Sequence, residues 1–358
     1  MSGIYIHIPF CIQKCTYCDF LSFECGGDTA KIMEQYVAAL LQEINSVDSK
    51  IESTETIYIG GGTPTALPVH LLCKILRALP TANEITVEAN PGTLTPAYLA
   101  ALKSSGVTRL SMGLQTTQSH LLQSINRLHS MEDFLQNYHA ARQAGFDNIN
   151  IDLMFALPGQ TLQDWQDTLH EIIALAPQHI SLYSLTPAEN TPLWDALEAG
   201  NIILPSEETD RAMYHMAIRL LQAAGYTHYE LSNFAKPSYT SQHNIDCWRR
   251  VPYRGYGLGA HSFDGRKRWH NTEEMQEYLA GNYAPQNVDK LTEADALAER
   301  MFLGLRLMQG VADTDIPPIF ASTVEEQIAK GLLKRENNRI RLTPKGMDLA
   351  NRVFGEFV

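Results

Sequence analysis

The sequence predicts an α/β protein built on a parallel sheet. Before Gly225, six short apolar runs alternate with longer stretches whose apolar residues recur at helical spacing. Strands that alternate with helices pair in parallel through right-handed crossovers. Units of this kind form either a doubly wound sheet or an incomplete (β/α) barrel, and in both folds ligands bind at the carboxyl ends of the strands. The pattern alone leaves these two folds open.

The first predicted strand, Ile4–Ile8, ends at Pro9 because proline cannot donate to a strand ladder. The later strands are predicted at Thr56–Ile59, Glu84–Glu88, Arg109–Met112, Asn148–Leu153 and His179–Leu185. The helices are predicted at Lys31–Ser46, Val69–Leu79, Pro96–Ser104, Ser119–Ile125, Met131–Ala144, Leu162–Leu175 and Ser206–Ala224. Thr95 and Ser206 are residue types that cap helix starts.

The alternation fades beyond Gly225. Two more strands, a loop and a polar linker are predicted there, at Tyr226–Phe234, Gly257–Phe263, Lys236–Tyr253 and Asn282–Lys290, respectively. The last stretch predicts helices at Thr292–Met308, Val324–Lys330 and Pro344–Phe357, with a hairpin at Leu332–Leu342 that turns at Asn337-Asn338. This order resembles a small winged-helix-like domain. The predicted units are therefore residues 1–225, residues 226–285 and residues 290–358.

Composition excludes several functions. The formal net charge of −12 argues against a broad nucleic-acid surface, and the basic residues of the winged-helix-like unit are interleaved with acids, which favours a packing domain or lid. The start of the chain lacks a basic region followed by an apolar run, and no apolar stretch approaches about 18 residues. We therefore expect no signal peptide and no membrane span. The clustering of the six cysteines suggests metal ligation in a reducing compartment, which predicts a cytoplasmic protein.

Three cysteines lie close together after the first strand. Cys11, Cys15 and Cys18 are spaced C-x3-C-x2-C. Iron–sulfur clusters usually take four thiolates, so a loop with three leaves one iron with an open position for a substrate or cofactor. A zinc site completed by His7, or a group of buried thiols, is the alternative. The spacing differs from that of zinc pairs and of redox C-x-x-C sites, and it favours the iron–sulfur cluster.

Polar residues recur at the ends of the following strands. The loop Gly60–Pro64 has three glycines that let the backbone approach a ligand closely, although a tight strand–helix turn has the same composition. Glu88, Gln115 and Asp152 end the next strands, and Arg127 follows in a loop. Arg and Gln suit a carboxylate, whereas an acidic side chain suits ammonium or hydroxyl groups. Each residue alone is typical of structural loops, but together beside the cysteine loop they favour a ligand site.

The cysteine stretch carries a family resemblance. Tyr5–Cys11 followed by Cys15–Phe20 resembles the radical S-adenosylmethionine superfamily and, within it, the heme chaperone branch of the oxygen-independent coproporphyrinogen III oxidase-like group. The resemblance implies a partial (β/α)6 TIM-type barrel and a 4Fe–4S cluster on the three cysteines. It also implies the residues that contact S-adenosylmethionine, namely Tyr5, Tyr17, Gly61, Gly62, Thr63, Glu88, Gln115, Arg127 and Asp152.

A second motif points to heme. Gln242–Trp248 resembles the HNxxYW signature of the heme chaperone branch, with Cys247 where the signature has tyrosine. Imidazole and thiolate are both axial ligands of heme, and residues four apart share one helix face. His243 and Cys247 are therefore candidate heme ligands, although His243 could instead bond a loop. The turn Gly257–Ser262 carries a further histidine that either lines the pocket or only shapes it.

Two functions follow from the resemblance. One is a heme chaperone that delivers heme to an acceptor protein, helped by a reductant such as flavodoxin or ferredoxin. The other is the radical decarboxylation of coproporphyrinogen III. The oxidases carry a further cysteine two residues after the third and a long extension before the motif. This chain has Phe20 at that position, and Tyr5 is nearly at its start, so the chaperone is favoured.

Overall fold

The computed structural model describes residues 3–47 and 53–358. Its strands are β1 Gly3–Ile8, β2 Phe10–Cys11, β3 Phe23–Glu24, β4 Ser53–Gly61, β5 Thr81–Ala89, β6 Arg109–Gln115, β7 Asn148–Phe155, β8 His179–Ser184, β9 Thr227–Glu230, β10 Asn233–Ala235, β11 Tyr253–Tyr256, β12 His261–Phe263, β13 Lys267–His270, β14 Gln286–Lys290, β15 Val311–Ala312, β16 Leu333–Glu336 and β17 Arg339–Leu342. Its α-helices are α1 Thr29–Val47, α2 Val69–Ala78, α3 Pro96–Ser104, α4 Ser119–Ser124, α5 Met131–Gln143, α6 Leu162–Leu175, α7 Pro192–Glu198, α8 Glu207–Ala223, α9 Gln242–Trp248, α10 Met275–Leu279, α11 Glu293–Gly304, α12 Ala321–Ala329, α13 Pro344–Asp348 and α14 Ala350–Gly355.

Strand order decides between the two folds that the sequence left open. The strands β1, β4, β5, β6, β7 and β8 are neighbours in chain order, and every pair among them is parallel. A doubly wound sheet reverses its strand order at a switch point, whereas a barrel adds each strand on the same side. The order here does not reverse. The prediction of a partial (β/α)6 barrel is therefore confirmed.

The sheet continues past the barrel strands on both sides. β11 pairs in parallel with β1 and is followed outward by β12, β13 and β14, while β10 and β9 extend the other side beyond β8. Two sequence predictions are wrong here. The predicted loop Lys236–Tyr253 contains the helix α9, and the predicted linker Asn282–Lys290 contains β14. β14 is polar because it is an edge strand with mostly exposed side chains.

A buried carboxylate ties the added strands to the barrel. Glu43 on α1 is fully buried and accepts hydrogen bonds from the Gly257 amide at 3.0 Å, the Tyr278 hydroxyl at 2.7 Å and Nδ2 of Asn271 at 2.7 Å. On the same helix, the Tyr36 hydroxyl donates to the backbone oxygen of His7 at 2.7 Å. α1 thus bridges the start of the chain and the turn between β11 and β12.

The C-terminal part of the chain, residues 293–358, has a hydrophobic core of its own. Buried side chains of α11, α12, α14 and β15–β17 form one cluster, separate from the core around the barrel strands. The hairpin is confirmed with its turn at Asn337 and Asn338, both of which have positive φ. The predicted final helix is two helices, α13 and α14, because Leu349 leaves helical geometry at φ −115° and ψ 27°. No helix in the described ranges is long and apolar enough to cross a bilayer.

Candidate functional site

A cavity of about 480 Å3 opens at the carboxyl ends of the barrel strands. It lies where ligands bind in (β/α) barrels. Eleven of the thirteen site residues predicted from the sequence line it, namely Cys11, Cys15, Tyr17, Cys18, Gly61, Gly62, Thr63, Glu88, Gln115, Arg127 and Asp152. Two of the predicted site residues, Tyr5 and His243, do not line it.

The three clustered cysteines are free thiols that face this cavity. Burial raises the pKa of Cys11 and of Cys18, and the Thr63 hydroxyl donates to the Cys11 sulfur at 3.6 Å. Within residues 3–47 and 53–358, no three His, Cys, Asp or Glu side chains are gathered closely enough to hold one metal ion. Thiols that bind different irons of one cluster do not have to meet at one ion. The donor set fits a cluster with several irons better than a zinc site.

The glycine loop fits tightly against the cysteine loop. The amides of Gly62 and Thr63 donate to the backbone oxygens of Ile8 and Phe10 at 2.8 and 2.7 Å. A Cβ on Gly62 would lie 2.8 Å from the Phe10 oxygen and 3.0 Å from the Cys11 sulfur. Gly61 has φ +111°, and its Cβ would lie 2.6 Å from the His7 ring. Only glycine fits at both positions, so the loop that edges the cavity also fixes the place of Cys11.

Arg127 is one of two basic residues that line the cavity, the other being Lys14. It donates to Oδ1 of Asn90 at 2.9 Å and to the Tyr17 hydroxyl at 3.1 Å. Its buried Nε finds no partner in the part of the chain that the structure describes. A guanidinium with spare donors suits a ligand carboxylate. Gln115 lies near Arg127. A Cβ placed on Gly113 would lie 3.4 Å from Nη2 of Arg127 and 3.0 Å from Nε2 of Gln115, so both side chains pass close to the same glycine.

Gln115 has an unusual backbone. Its φ is 72°, in the left-handed region that glutamine rarely adopts, and the register of β6 with β7 shifts at this point. Strained residues of this kind cluster at ligand sites, where the surrounding structure holds them. The distortion ends β6 at the cavity wall.

Two half-buried carboxylates, Glu88 and Asp152, face the cavity. Glu88 accepts a hydrogen bond from the Tyr58 hydroxyl at 2.7 Å, and burial raises the pKa of Glu88 to about 7. Asp152 accepts from the Ser111 hydroxyl at 3.0 Å and from Nδ2 of Asn150 at 2.8 Å, and burial raises its pKa as well. Neither forms an ion pair with any residue that the structure describes. Both therefore suit a ligand that brings positive charge or hydroxyl groups.

Tyr5 acts one layer behind the cavity. Its hydroxyl lies 3.0 Å from Nδ1 of His7, and Nε2 of His7 lies 2.8 Å from the backbone oxygen of Leu21. The Tyr5 ring also stacks on Tyr58, with centroids 6.4 Å apart. Tyr5 thus supports the cysteine loop through His7 and packs against Tyr58, the residue that donates to Glu88.

His243 lies at the other end of the barrel. Its Nδ1 is 2.9 Å from the Thr56 hydroxyl, its ring stacks 5.2 Å from that of Tyr58, and its backbone amide donates to Glu84 at 3.1 Å. Thr56 and Glu84 stand near the amino ends of β4 and β5, so α9 covers the floor of the barrel. His243 is 6% exposed, and burial lowers its pKa to about 4. Heme ligation by His243 stays a prediction, and it requires α9 to move.

Cys247 lies one helical turn further along α9. Burial raises the pKa of this thiol to about 11, so the thiol is protonated at neutral pH. The next residue, Trp248, packs under Arg306 of the C-terminal part, whose guanidinium lies 4.3 Å from the ring centroid. The motif is thus held between the barrel and the C-terminal part.

Sequence reasoning missed part of the lining. Asn90, Ser111, Tyr58 and Tyr183 also face the cavity. Tyr58 and Ser111 lie on strands β4 and β6, and alternation along the strand could have identified them. Asn90 could have been found from its place one residue after β5.

Comparison with known proteins agrees with this architecture. Residues 5–172 match the model of the radical SAM superfamily, and residues 291–349 match the HemN C-terminal domain. The structure of coproporphyrinogen III oxidase (HemN) from Escherichia coli, a radical SAM enzyme, covers 99% of this chain and 89% of its own, with a TM-score of 0.84 and 24% identity. At that identity the likeness establishes the fold.

Curated relatives place the chain more narrowly. The heme chaperone HemW of Bacillus subtilis (strain 168) is 34% identical over 100% of this chain and 99% of its own length. The heme chaperone HemW of Lactococcus lactis (strain IL1403) is 35% identical over 100% of this chain and 97% of its own. These matches favour the chaperone branch over the oxidase. The chain therefore belongs to the heme chaperone HemW family of the radical SAM superfamily.

Proposed function

We propose that this protein is a heme chaperone that holds a 4Fe–4S cluster, S-adenosylmethionine and heme, and delivers the heme to an acceptor protein. The observation that carries the proposal is the similarity over the full length of the chain to relatives named heme chaperone HemW.

Cys11, Cys15 and Cys18 would hold the cluster. They are free, they face one cavity, and their number leaves one iron for another ligand. Once bound, the cluster and S-adenosylmethionine supply one-electron chemistry. The chain itself binds and orients them, and the tight contact of Gly62 with Cys11 fixes one of the cluster ligands.

The remaining lining residues suit S-adenosylmethionine. This molecule carries an ammonium, a sulfonium, a carboxylate and ribose hydroxyls. Glu88 offers a half-buried carboxylate to the positive charge, Arg127 offers a spare donor to the ligand carboxylate, and Asp152 offers acceptors to the hydroxyls. The site thus has a partner of fitting charge for each end of the ligand.

Phe20 supports heme handling over porphyrin decarboxylation. It stands at the cavity rim, 62% exposed, where the oxidases have a further cysteine. The further expected partners are a reductant such as flavodoxin or ferredoxin and a heme acceptor, with no nucleic acid. The six free cysteines suit a reducing compartment, so we propose a cytoplasmic location.

Heme uptake and transfer test the proposal. Anaerobically purified protein with its cluster should bind hemin with a change in the Soret band, and it should pass the heme to an apo-hemoprotein. Absence of heme uptake, together with anaerobic conversion of coproporphyrinogen III, would instead establish the oxidase activity.

Cluster content is a separate test. Reconstitution should give about four irons per chain. Cys15→Ala should abolish this content, whereas Cys73→Ala, a cysteine of α2 remote from the cavity, should preserve it. An unchanged iron content in Cys15→Ala would refute the ligand assignment.

A further inference from the structure

A histidine pair on the surface is not used by the site described above. His261 on β12 faces His270 on β13 in register, with ring centroids 5.1 Å apart and 34° between the ring planes. His261 is exposed. It belongs to the histidine-bearing turn Gly257–Ser262 that the sequence singled out.

The two imidazoles are held differently. Nδ1 of His270 lies 2.8 Å from the backbone oxygen of Asn271, and Nε2 of His270 lies 2.9 Å from Nδ2 of Asn287. In contrast, the His261 ring forms no hydrogen bond with any residue in the described ranges. Partial burial and the neighbouring His270 lower the pKa of His261. A neutral imidazole is the form that binds metals, so His261 is available as a ligand at neutral pH.

The turn that leads into His261 lies against the segment that follows the third cysteine. Gly259, two residues before His261, packs on Leu21 so closely that a Cβ would lie 2.5 Å from Cδ2 of Leu21. On either side of Leu21 the chain presents exposed aromatic rings, with Phe20 62% and Phe23 41% exposed. The turn that carries the available imidazole therefore packs against a segment with unusual apolar exposure.

The chemistry of the pair selects the kind of ligand. No three His, Cys, Asp or Glu side chains of residues 3–47 and 53–358 could hold a bare metal ion together. One free imidazole suits an iron that already carries four other ligands, and a metalloporphyrin brings those four nitrogens itself. The flat apolar ring of a porphyrin also needs apolar protein surface against its faces.

We propose that His261 is the axial ligand of heme and that Phe20 and Phe23 cover part of the macrocycle. This assignment rests on the proposed heme-chaperone function and gives that function an accessible site. His243, by comparison, is 6% exposed and bonded to Thr56 inside the barrel. Heme can reach His261 without displacing a helix.

Hemin titration of cluster-loaded full-length variants tests the ligand. We expect His261→Ala to raise the dissociation constant for hemin at least about tenfold, since metal sites lose that much even when an outer partner is removed. Added imidazole should restore the Soret position in His261→Ala. His170→Ala, an exposed histidine on the outer helix α6, is the matched control and should bind hemin as the unmodified protein does. Iron and sulfide content and thermal unfolding of each variant show that the cluster and the fold persist.

The outcomes separate this inference from the function on which it rests. If the unmodified protein binds no hemin, the heme-chaperone function and the ligand assignment both fail. If it binds hemin and His261→Ala binds equally well, only the assignment to His261 fails. Loss of binding in His243→Ala with retention in His261→Ala would transfer the ligand role to the motif helix. Loss in His261→Ala that imidazole reverses supports the proposal, because a merely structural role would not respond to imidazole.

Discussion

Replacing Glu43 should destabilise the protein strongly although the residue lies outside the cavity. In Glu43→Ala, the Gly257 amide, the Tyr278 hydroxyl and one amide hydrogen of Asn271 lose their acceptor. Each buried donor left unpaired costs about 1–3 kcal/mol, so for the three donors we expect a loss of about 3–9 kcal/mol in the free energy of unfolding.

Glu43→Gln should cost much less. A glutamine oxygen can keep the bonds to Gly257 and Tyr278, which share Oε2, and only its amide nitrogen meets a donor, at Asn271. One poor contact of this kind costs about 1–2 kcal/mol. Neutralising the side chain also removes the cost of burying a charge, which already raises the pKa of Glu43. The difference between the two variants therefore measures the hydrogen bonds rather than the charge.

Equilibrium urea unfolding under anaerobic conditions, followed by tryptophan fluorescence, measures these losses. Glu34→Ala is the matched control, because Glu34 lies on the same helix with an exposed side chain and should change stability by less than about 0.5 kcal/mol. A Glu43→Ala variant within about 1 kcal/mol of the unmodified protein would refute the reasoning, since three buried donors cannot lose a partner at so little cost. Equal losses in the alanine and glutamine variants would show that charge, not bonding geometry, matters.

Three further predictions concern the cavity and the C-terminal part. The affinity for S-adenosylmethionine should fall by up to about tenfold per pH unit below pH 7, because Glu88, with its pKa raised to about 7, becomes protonated there. Calorimetry should find that this pH dependence is absent in Glu88→Gln. Gly62→Ala should lower the amount of iron bound per chain after reconstitution, because overpacking against Cys11 costs about 1–3 kcal/mol. In the control Gly26→Ala the new Cβ meets no atom within 4 Å, so this variant should bind as much iron as the unmodified protein. Glu299→Ala should lower the free energy of unfolding by about 3–5 kcal/mol, because the largely buried carboxylate pairs with Arg250 at 2.6 Å and with Arg268. Limited proteolysis should then cleave faster between the sheet and the C-terminal part, and unchanged cleavage would contradict this.

Most of the residues that line the cavity could be predicted from the sequence because their positions depend on local features of the chain. Parallel strands bring their carboxyl ends to one edge, so Glu88, Gln115 and Asp152 could be grouped without knowing any long-range contact. α9 was missed because its stability depends on a distant partner. The amides of Gln242 and His243 are held by Glu84, and Ser241 caps a helix of only seven residues.

The placement of Tyr5 and His243 depended on the same long-range packing. β11 pairs with β1 from the far end of the chain, and no periodicity reports such a pairing. The sequence motifs identified these two residues but gave no information on how deeply each is buried in the barrel. A motif identifies chemistry, whereas burial decides whether a ligand can reach it.

The linear strand order has a consequence for the role of the C-terminal part of the chain. Among the described residues, β14 and β9 stand at opposite ends of the twelve-stranded sheet and do not pair with each other. The C-terminal part contacts the sheet near both of these ends, since Leu307 forms a bridge with Glu230 at the end of β9 and Glu299 on α11 pairs with Arg268 on β13. The chain that follows β14 therefore links two ends that the strands themselves leave apart.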